Sequence, residues 1–307
     1  MGPGKSSETE KQSSNQVARE DPKYQPKGHN GPKLLELEIP LRENFILSKH
    51  RHNGGQLSLI LVKNAQHSIF GKHAAYFNIS KLTKQQHDLL SHQSPDKYIG
   101  HCLSEYYDIL DEAFFVGSLA SIIKLKLYRD EKDTQFGFYD EDTSSVYLNL
   151  HLQVSGKPYI DTMKQRIATM VHEMVHAFLD TFSCNCKACE TEADTPQGVG
   201  PGGHGTLWCD AMKEIQGSMN RDLDWTIDCG ILNSLGEEME TCKWIPTSAE
   251  LKRWGVRLFP AELEATRDRE DNIQEETLPE DGQTGFRQFA VGSLLFGLAV
   301  VSLKRFI

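Results

Sequence analysis

The sequence predicts an α+β fold. Apolar residues recur at helical spacing in 98–119, in 163–179 and again after Thr206, and short alternating segments lie between the first two of these. The order helix, strands, helix, loop, helix points to a small domain with one sheet. A chain of 307 residues with 38% hydrophobic content can bury one substantial core or two smaller ones.

Residues 1–33 are rich in Ser, Gly, Pro, Lys and Glu. They have too little apolar surface to offset the entropy of ordering, so a disordered arm is expected. An N-terminal extension follows at 34–100. In it, 34–46 reads as a short strand or extended arm, and Gln-Leu-Ser-Leu-Ile-Leu-Val at 56–62 reads as a strand after the Gly54-Gly55 turn. Leu103, Tyr106, Tyr107, Leu110, Ala113, Phe114 and Leu119 mark a helix over 98–119. Alternation with Lys124 and Lys126 marks a strand at 122–128. Two further strands are expected at 135–139 and 145–150, with a turn at 140–143. A long helix follows, capped by Asp161 or Thr162, with Met163, Ile167, Met170, Val171, Met174, Phe178 and Leu179 on its apolar side, ending near Phe182. After a Cys- and Gly-rich loop, a second helix starts near Thr206 and carries Trp208, Ala211, Met212 and Ile215. The main domain is thus expected at 101–235. An acidic, partly disordered region (236–285) and a hydrophobic segment (286–307) complete the chain.

Charge is uneven. Residues 237–283 hold 13 acids against 6 Lys or Arg, most of the formal net charge of −10. Residues 49–97 hold 7 Lys or Arg against Asp88 and Asp96, which reads as a mildly basic solvated surface or as a face for an anionic partner. Overall acidity argues against a protein built mainly to coat nucleic acid. The start MGPGKSSETEKQ has no apolar run for a signal peptide, and the 7 cysteines are odd in number. A nuclear or cytoplasmic setting is therefore expected, where clustered cysteines read as metal ligands or free thiols rather than as disulfide staples.

Residues 172–176 read His-Glu-Met-Val-His. Two histidines four apart share one face of a helix, so both rings can reach one Zn²⁺. Glu173 between them can take a proton from a zinc-activated water without itself ligating, which is the general-base arrangement of a metalloprotease. A catalytic zinc needs a third protein ligand and one open position. Downstream candidates are His204, set between Gly203 and Gly205, or a carboxylate among Glu190, Glu192, Asp194 and Glu214.

The run His172-Glu-Met-Val-His-Ala177, with Gly203-His204-Gly205 heading a helix, resembles the SprT-like family of zinc metalloproteases. Phe136-Gly-Phe-Tyr139, the segment Val146 to Leu150, and the helix with Tyr106, Ala113 and Phe114 also resemble that family. The resemblance spans about 103–215 and implies a zincin-like fold. It also implies zinc held by His172, His176 and His204, Glu173 as the base, and proteolysis of proteins bound or crosslinked to DNA. Protein substrate and DNA are the partners so implied. A non-proteolytic zinc-containing module that binds chromatin or protein, and a membrane-tethered hydrolase, stand as alternatives.

Cys184-Asn-Cys186-Lys-Ala-Cys189, with Cys209 and Cys229 later, offers thiols for a second, structural zinc, drawn first from Cys184, Cys186, Cys189 and Cys209. The other reading is a loop of free cysteines. Residues 289–303 carry no charge and end before Lys304-Arg305. The run is shorter than the roughly 20 residues of a spanning helix. A membrane anchor, a tail lying on a membrane surface and a terminal helix packed on the domain all fit it.

Overall fold

The computed structural model describes residues 47–77, 79–91, 95–151, 159–223 and 226–257. The expected arm (1–33), the expected strand at 34–46, the rest of the acidic region (258–285) and the hydrophobic segment with its membrane candidate at 289–303 lie outside them. No helix among the described residues is long and apolar enough to cross a membrane.

The fold is α+β. The helices are α1 (Gly54–Gln66), α2 (Phe70–His73), α3 (Ile79–Ser91), α4 (Pro95–Phe114), α5 (Tyr159–Phe182), α6 (Lys187–Ala193), α7 (Thr206–Asp222), α8 (Ile231–Cys242) and α9 (Ser248–Trp254). The strands β1 (Lys124–Tyr128), β2 (Gly137–Asp140) and β3 (Ser145–Asn149) form a sheet in the order β1-β3-β2. β3 is central, parallel to β1 with Leu125 opposite Val146, and antiparallel to β2 with Tyr139 opposite Val146. The turn between β2 and β3 is built by Asp140, whose carboxylate accepts from the Asp142 and Thr143 N–H groups and the Thr143 hydroxyl.

α5 lies against β2 and β3 and crosses the middle of the core. All seven residues expected on its apolar side are buried. It begins at Tyr159, so Asp161 sits in its first turn rather than capping it. α4 stops at Phe114 rather than continuing to Leu119. Val116 and Gly117 adopt positive φ there, and the Asp111 carboxylate accepts from the Leu119 and Ala120 N–H groups.

Two expectations are corrected. Residues 56–62 are helical, within α1. Asn53 and Gln56 form a capping box, and Leu57, Ile60, Leu61 and Ala65 recur at spacings of three and four on the buried side, against α7. The Gly54-Gly55 pair is the first turn of that helix rather than a hairpin turn. The domain limits also shift. The limit at 100/101 falls inside α4, and Leu47, Leu57 and Phe70 share one core with Met170 and Trp208. The acidic stretch from 236 contributes the second half of α8, and then α9. Trp254 of α9 is buried and donates its indole N–H to Asp210 of α7 at 2.7 Å.

Asn53→Ala removes the side-chain half of the α1 cap and should lower stability by about 1 kcal/mol. Urea unfolding measures it, and a midpoint unchanged from wild type would contradict the cap.

Candidate metal centre

His172 and His176 stand one turn apart on α5, and α7 begins two residues after His204. Their Nε2 atoms form a triangle: His172 to His176 is 3.2 Å, His176 to His204 is 3.1 Å and His204 to His172 is 3.3 Å. A tetrahedral ion with metal–nitrogen bonds of about 2.0–2.1 Å requires nitrogens roughly 3.3–3.4 Å apart. The three imidazoles therefore fit a metal ion held from one side, with its fourth position open. Burial keeps all three rings in the neutral form that donates a lone pair. It holds His172 below the usual imidazole range against the opposing effect of its hydrogen bond, holds His176 well below that range, and brings His204 down to about 3.

The rings are backed unequally: His172 has a hydrogen bond behind it, whereas His204 Nδ1 is buried with no partner among the described residues. His172 Nδ1 lies 3.0 Å from the Cys229 carbonyl, so its proton is fixed on that side and Nε2 is left free to ligate. The Cys229 segment is held in turn by Gln216 of α7, which accepts the Cys229 N–H at 2.8 Å. Trp208 lies under all three rings, with its centroid 4.8 Å from His172, 5.6 Å from His176 and 4.7 Å from His204. His204 is brought to α5 by its glycine neighbours. Gly203 has φ +83°, and a Cβ there would stand 3.2 Å from the His176 ring. The fully buried Glu238 of α8 accepts from the Gly202 and His204 N–H groups, at 3.3 and 3.0 Å. It fixes the loop that presents the third histidine.

Glu173 is buried beside the triangle but outside it. The group of ligand atoms lying within 4.8 Å of one another holds the three histidines and no carboxylate. Glu190, Glu192, Asp194 and Glu214 are thus not brought to this point. Burial pushes the Glu173 carboxyl up to about 8, opposed by the N–H that Tyr139 of β2 donates to it. Glu173, His176 and His204 line a cleft of about 730 Å³ whose other wall includes Phe138 and Tyr139.

The cysteines divide. Cys184, Cys186 and Cys189 come together with all three sulfurs within 4.8 Å of one another. Cys209 does not join them. It is buried on α7 and its thiol lies 3.4 Å from the His204 carbonyl. Cys229 serves through its backbone, as described.

Glu238 and Trp208 are the site residues that sequence reasoning missed. Glu238 left a signal. In α8 the buried positions are Ile231, Ser234, Leu235, Glu238 and Met239, so a carboxylate stands in the apolar stripe, where an acid needs partners. Trp208 was legible only as an apolar helix residue. Comparison with protein families, curated proteins and solved structures gives no match for this chain.

Glu238→Gln keeps one oxygen but loses the second acceptor, and should weaken metal affinity roughly 10–100-fold. Competition with a chromophoric chelator reads this directly, and an unchanged affinity would count against the loop-fixing role. The depressed histidines also set a pH dependence. An unfolded histidine takes up a proton near 6.5, whereas folded His204 does so only near 3. Counted for His204 alone, the two states bind equal protons above 6.5, and below it the unfolded state gains the proton first, so this contribution to the stability of metal-free protein is lost as pH falls. Glu173, held protonated up to about 8 when folded, contributes in the opposite sense, so the His204 part is read as a difference. The urea midpoint of wild type relative to that of His204→Ala should fall from pH 7 to pH 5.

Proposed function

We propose that this protein is a zinc metallopeptidase of the HExxH type, with the zincin-like fold and SprT-like kinship that its motifs resemble. The carrying observation is the triangle of neutral imidazole nitrogens with a buried carboxyl beside it and not in it. His172, His176 and His204 would hold the ion. Bound zinc supplies Lewis-acid polarisation of a peptide carbonyl and lowers the pKa of a water to about 7.

The protein's own groups carry the protons. Glu173 takes one from the attacking water and gives it to the departing amine nitrogen. Its burial alone favours the protonated acid at neutral pH. The positive charge of a loaded centre and the Tyr139 N–H both favour the carboxylate, so base and centre are coupled. The Cys229 carbonyl and Trp208 hold the imidazoles fixed through the cycle.

The cleft also indicates a substrate class. Asp140, Glu141, Asp142, Asp180 and Asp194 line it, and no Lys or Arg is among its described lining residues. A polyanion such as DNA is a poor occupant. A cationic polypeptide segment is a good one, with half-exposed Phe138 offering apolar contact. Proteins that bind DNA carry such segments to neutralise phosphates. Substrates bound or crosslinked to DNA, as the resemblance implies, therefore suit this charge.

Glu173→Gln should keep the metal and lose cleavage of a protein substrate by roughly 10²–10⁴-fold. Full activity in that variant would rule out the mechanism, and it also separates a peptidase from a zinc-containing binding module. Charge reversal at the exposed pair, Glu141→Lys with Asp142→Lys, should raise KM for a Lys-rich peptide several-fold with kcat unchanged. The effect should shrink at high salt. A KM equal to wild type at low salt would remove the charge argument.

A further inference from the structure

The reaction above makes no use of Cys184, Cys186 and Cys189. The local fold gathers them with little chain. Cys184 follows the end of α5, Cys186 is the N-cap of α6, and Cys189 stands in that helix's first turn. N-cap and N3 are the positions whose side chains turn toward each other in a capping box, and here both are sulfur. Cys186 makes no side-chain cap bond, although Ser, Thr, Asp or Asn would do so readily at that place. Cys189 is buried, while Cys184 and Cys186 are half-buried, so an ion can enter from solvent.

A redox dithiol needs two sulfurs. A third within the same 4.8 Å makes the donor set of a thiophilic cation, since thiolates select zinc or copper(I) over magnesium, calcium or manganese. Cys209 is held away on α7.

We infer that Cys184, Cys186 and Cys189 form a three-thiolate Zn²⁺ site, separate from the histidine centre, with water as its fourth ligand. Binding releases one proton from each thiol and leaves the site with a net charge of −1. Its place in the chain gives it a task. The connection from α5 to α7 starts at these thiols and ends at His204, and the Cys184 N–H also bonds the His52 carbonyl at 2.7 Å. An ion here pins α6 to the end of α5 and shortens the free part of the connection that must deliver His204.

The test is metal content of the full chain purified with Zn²⁺, alongside the absorption spectrum of Co²⁺-loaded protein. Wild type should hold two zinc ions, and Cys184→Ser/Cys186→Ser/Cys189→Ser one. The thiolate-to-cobalt charge-transfer band should be absent from the triple variant and kept in His204→Ala. Cys186→Ser alone, with circular dichroism as a fold check, should weaken Zn²⁺ binding if the triple variant does not fold. One zinc in wild type with no charge-transfer band would overturn this site and leave the histidine reading standing. One zinc with the band present, and unaffected by His204→Ala, would support this site and remove the histidine reading. A Cys186–Cys189 disulfide found by mass spectrometry in protein prepared without oxidant, together with zinc content unchanged in the triple variant, would also overturn it.

Discussion

Three imidazole nitrogens lying 3.1–3.3 Å apart are a constraint that the rest of the structure serves. A neutral ring donates from one nitrogen only, and His172 already directs its Nδ1 at the Cys229 carbonyl. That leaves the His172 Nε2 lone pair facing the other two rings, and a cation at the centre of the triangle would accept one lone pair from each ring. The backing is correspondingly stiff. Trp208 fills the space beneath the rings, Gln216 holds the Cys229 segment, and Glu238 holds the backbone of the His204 loop. Trp208 and Gln216 come from α7, which packs on α1 and α5, and Glu238 comes from α8, which packs on α7.

The second dependence is electrostatic. Glu173 is buried enough to favour its neutral form, against the Tyr139 N–H, and a cation held by the histidines would favour the carboxylate that the proposed reaction needs. The same burial strips protons from the histidines. One buried environment thus favours the neutral form of all four groups, which leaves lone pairs on the imidazoles and a proton on the carboxyl. The surrounding cleft is lined by Asp140, Glu141, Asp142, Asp180 and Asp194, a charge that suits the cationic polypeptide substrate proposed for it.

A third relation joins the two metal-type clusters. Both sit on the stretch that begins at the end of α5 and closes at the start of α7, the thiols first and His204 last. A long connection is costly to order, and an ion bound at the thiols would anchor it near its start and reduce the entropy lost in placing its far end. Glu238 does the same work from the opposite side, through Gly202 and His204.

Much of the centre was legible in sequence because its key spacing is local. His172 and His176 lie four apart in a helix whose apolar period is strong, and that alone puts two rings and one acid in place. Gly203 and Gly205 around His204 signalled a close approach, which the +83° φ of Gly203 bears out. The strands at 122–128, 135–139 and 145–150 were readable from alternation to within two residues. Residues 56–62 were misread because Leu57, Leu59 and Leu61 alternate, so a strand pattern overlies the helical one. The Asn53–Gln56 capping box, present in the sequence, was the deciding signal.

What the sequence determined by itself was thus the helix of the His172–His176 pair, the candidate base, and the α+β order around them. Only the tertiary structure decided that His204 rather than a downstream carboxylate completes the triangle, that Cys209 leaves the thiol cluster, and that Glu238 holds the third histidine. These are contacts between residues tens of positions apart. They depend on how α5, α7 and α8 pack, which no local period encodes.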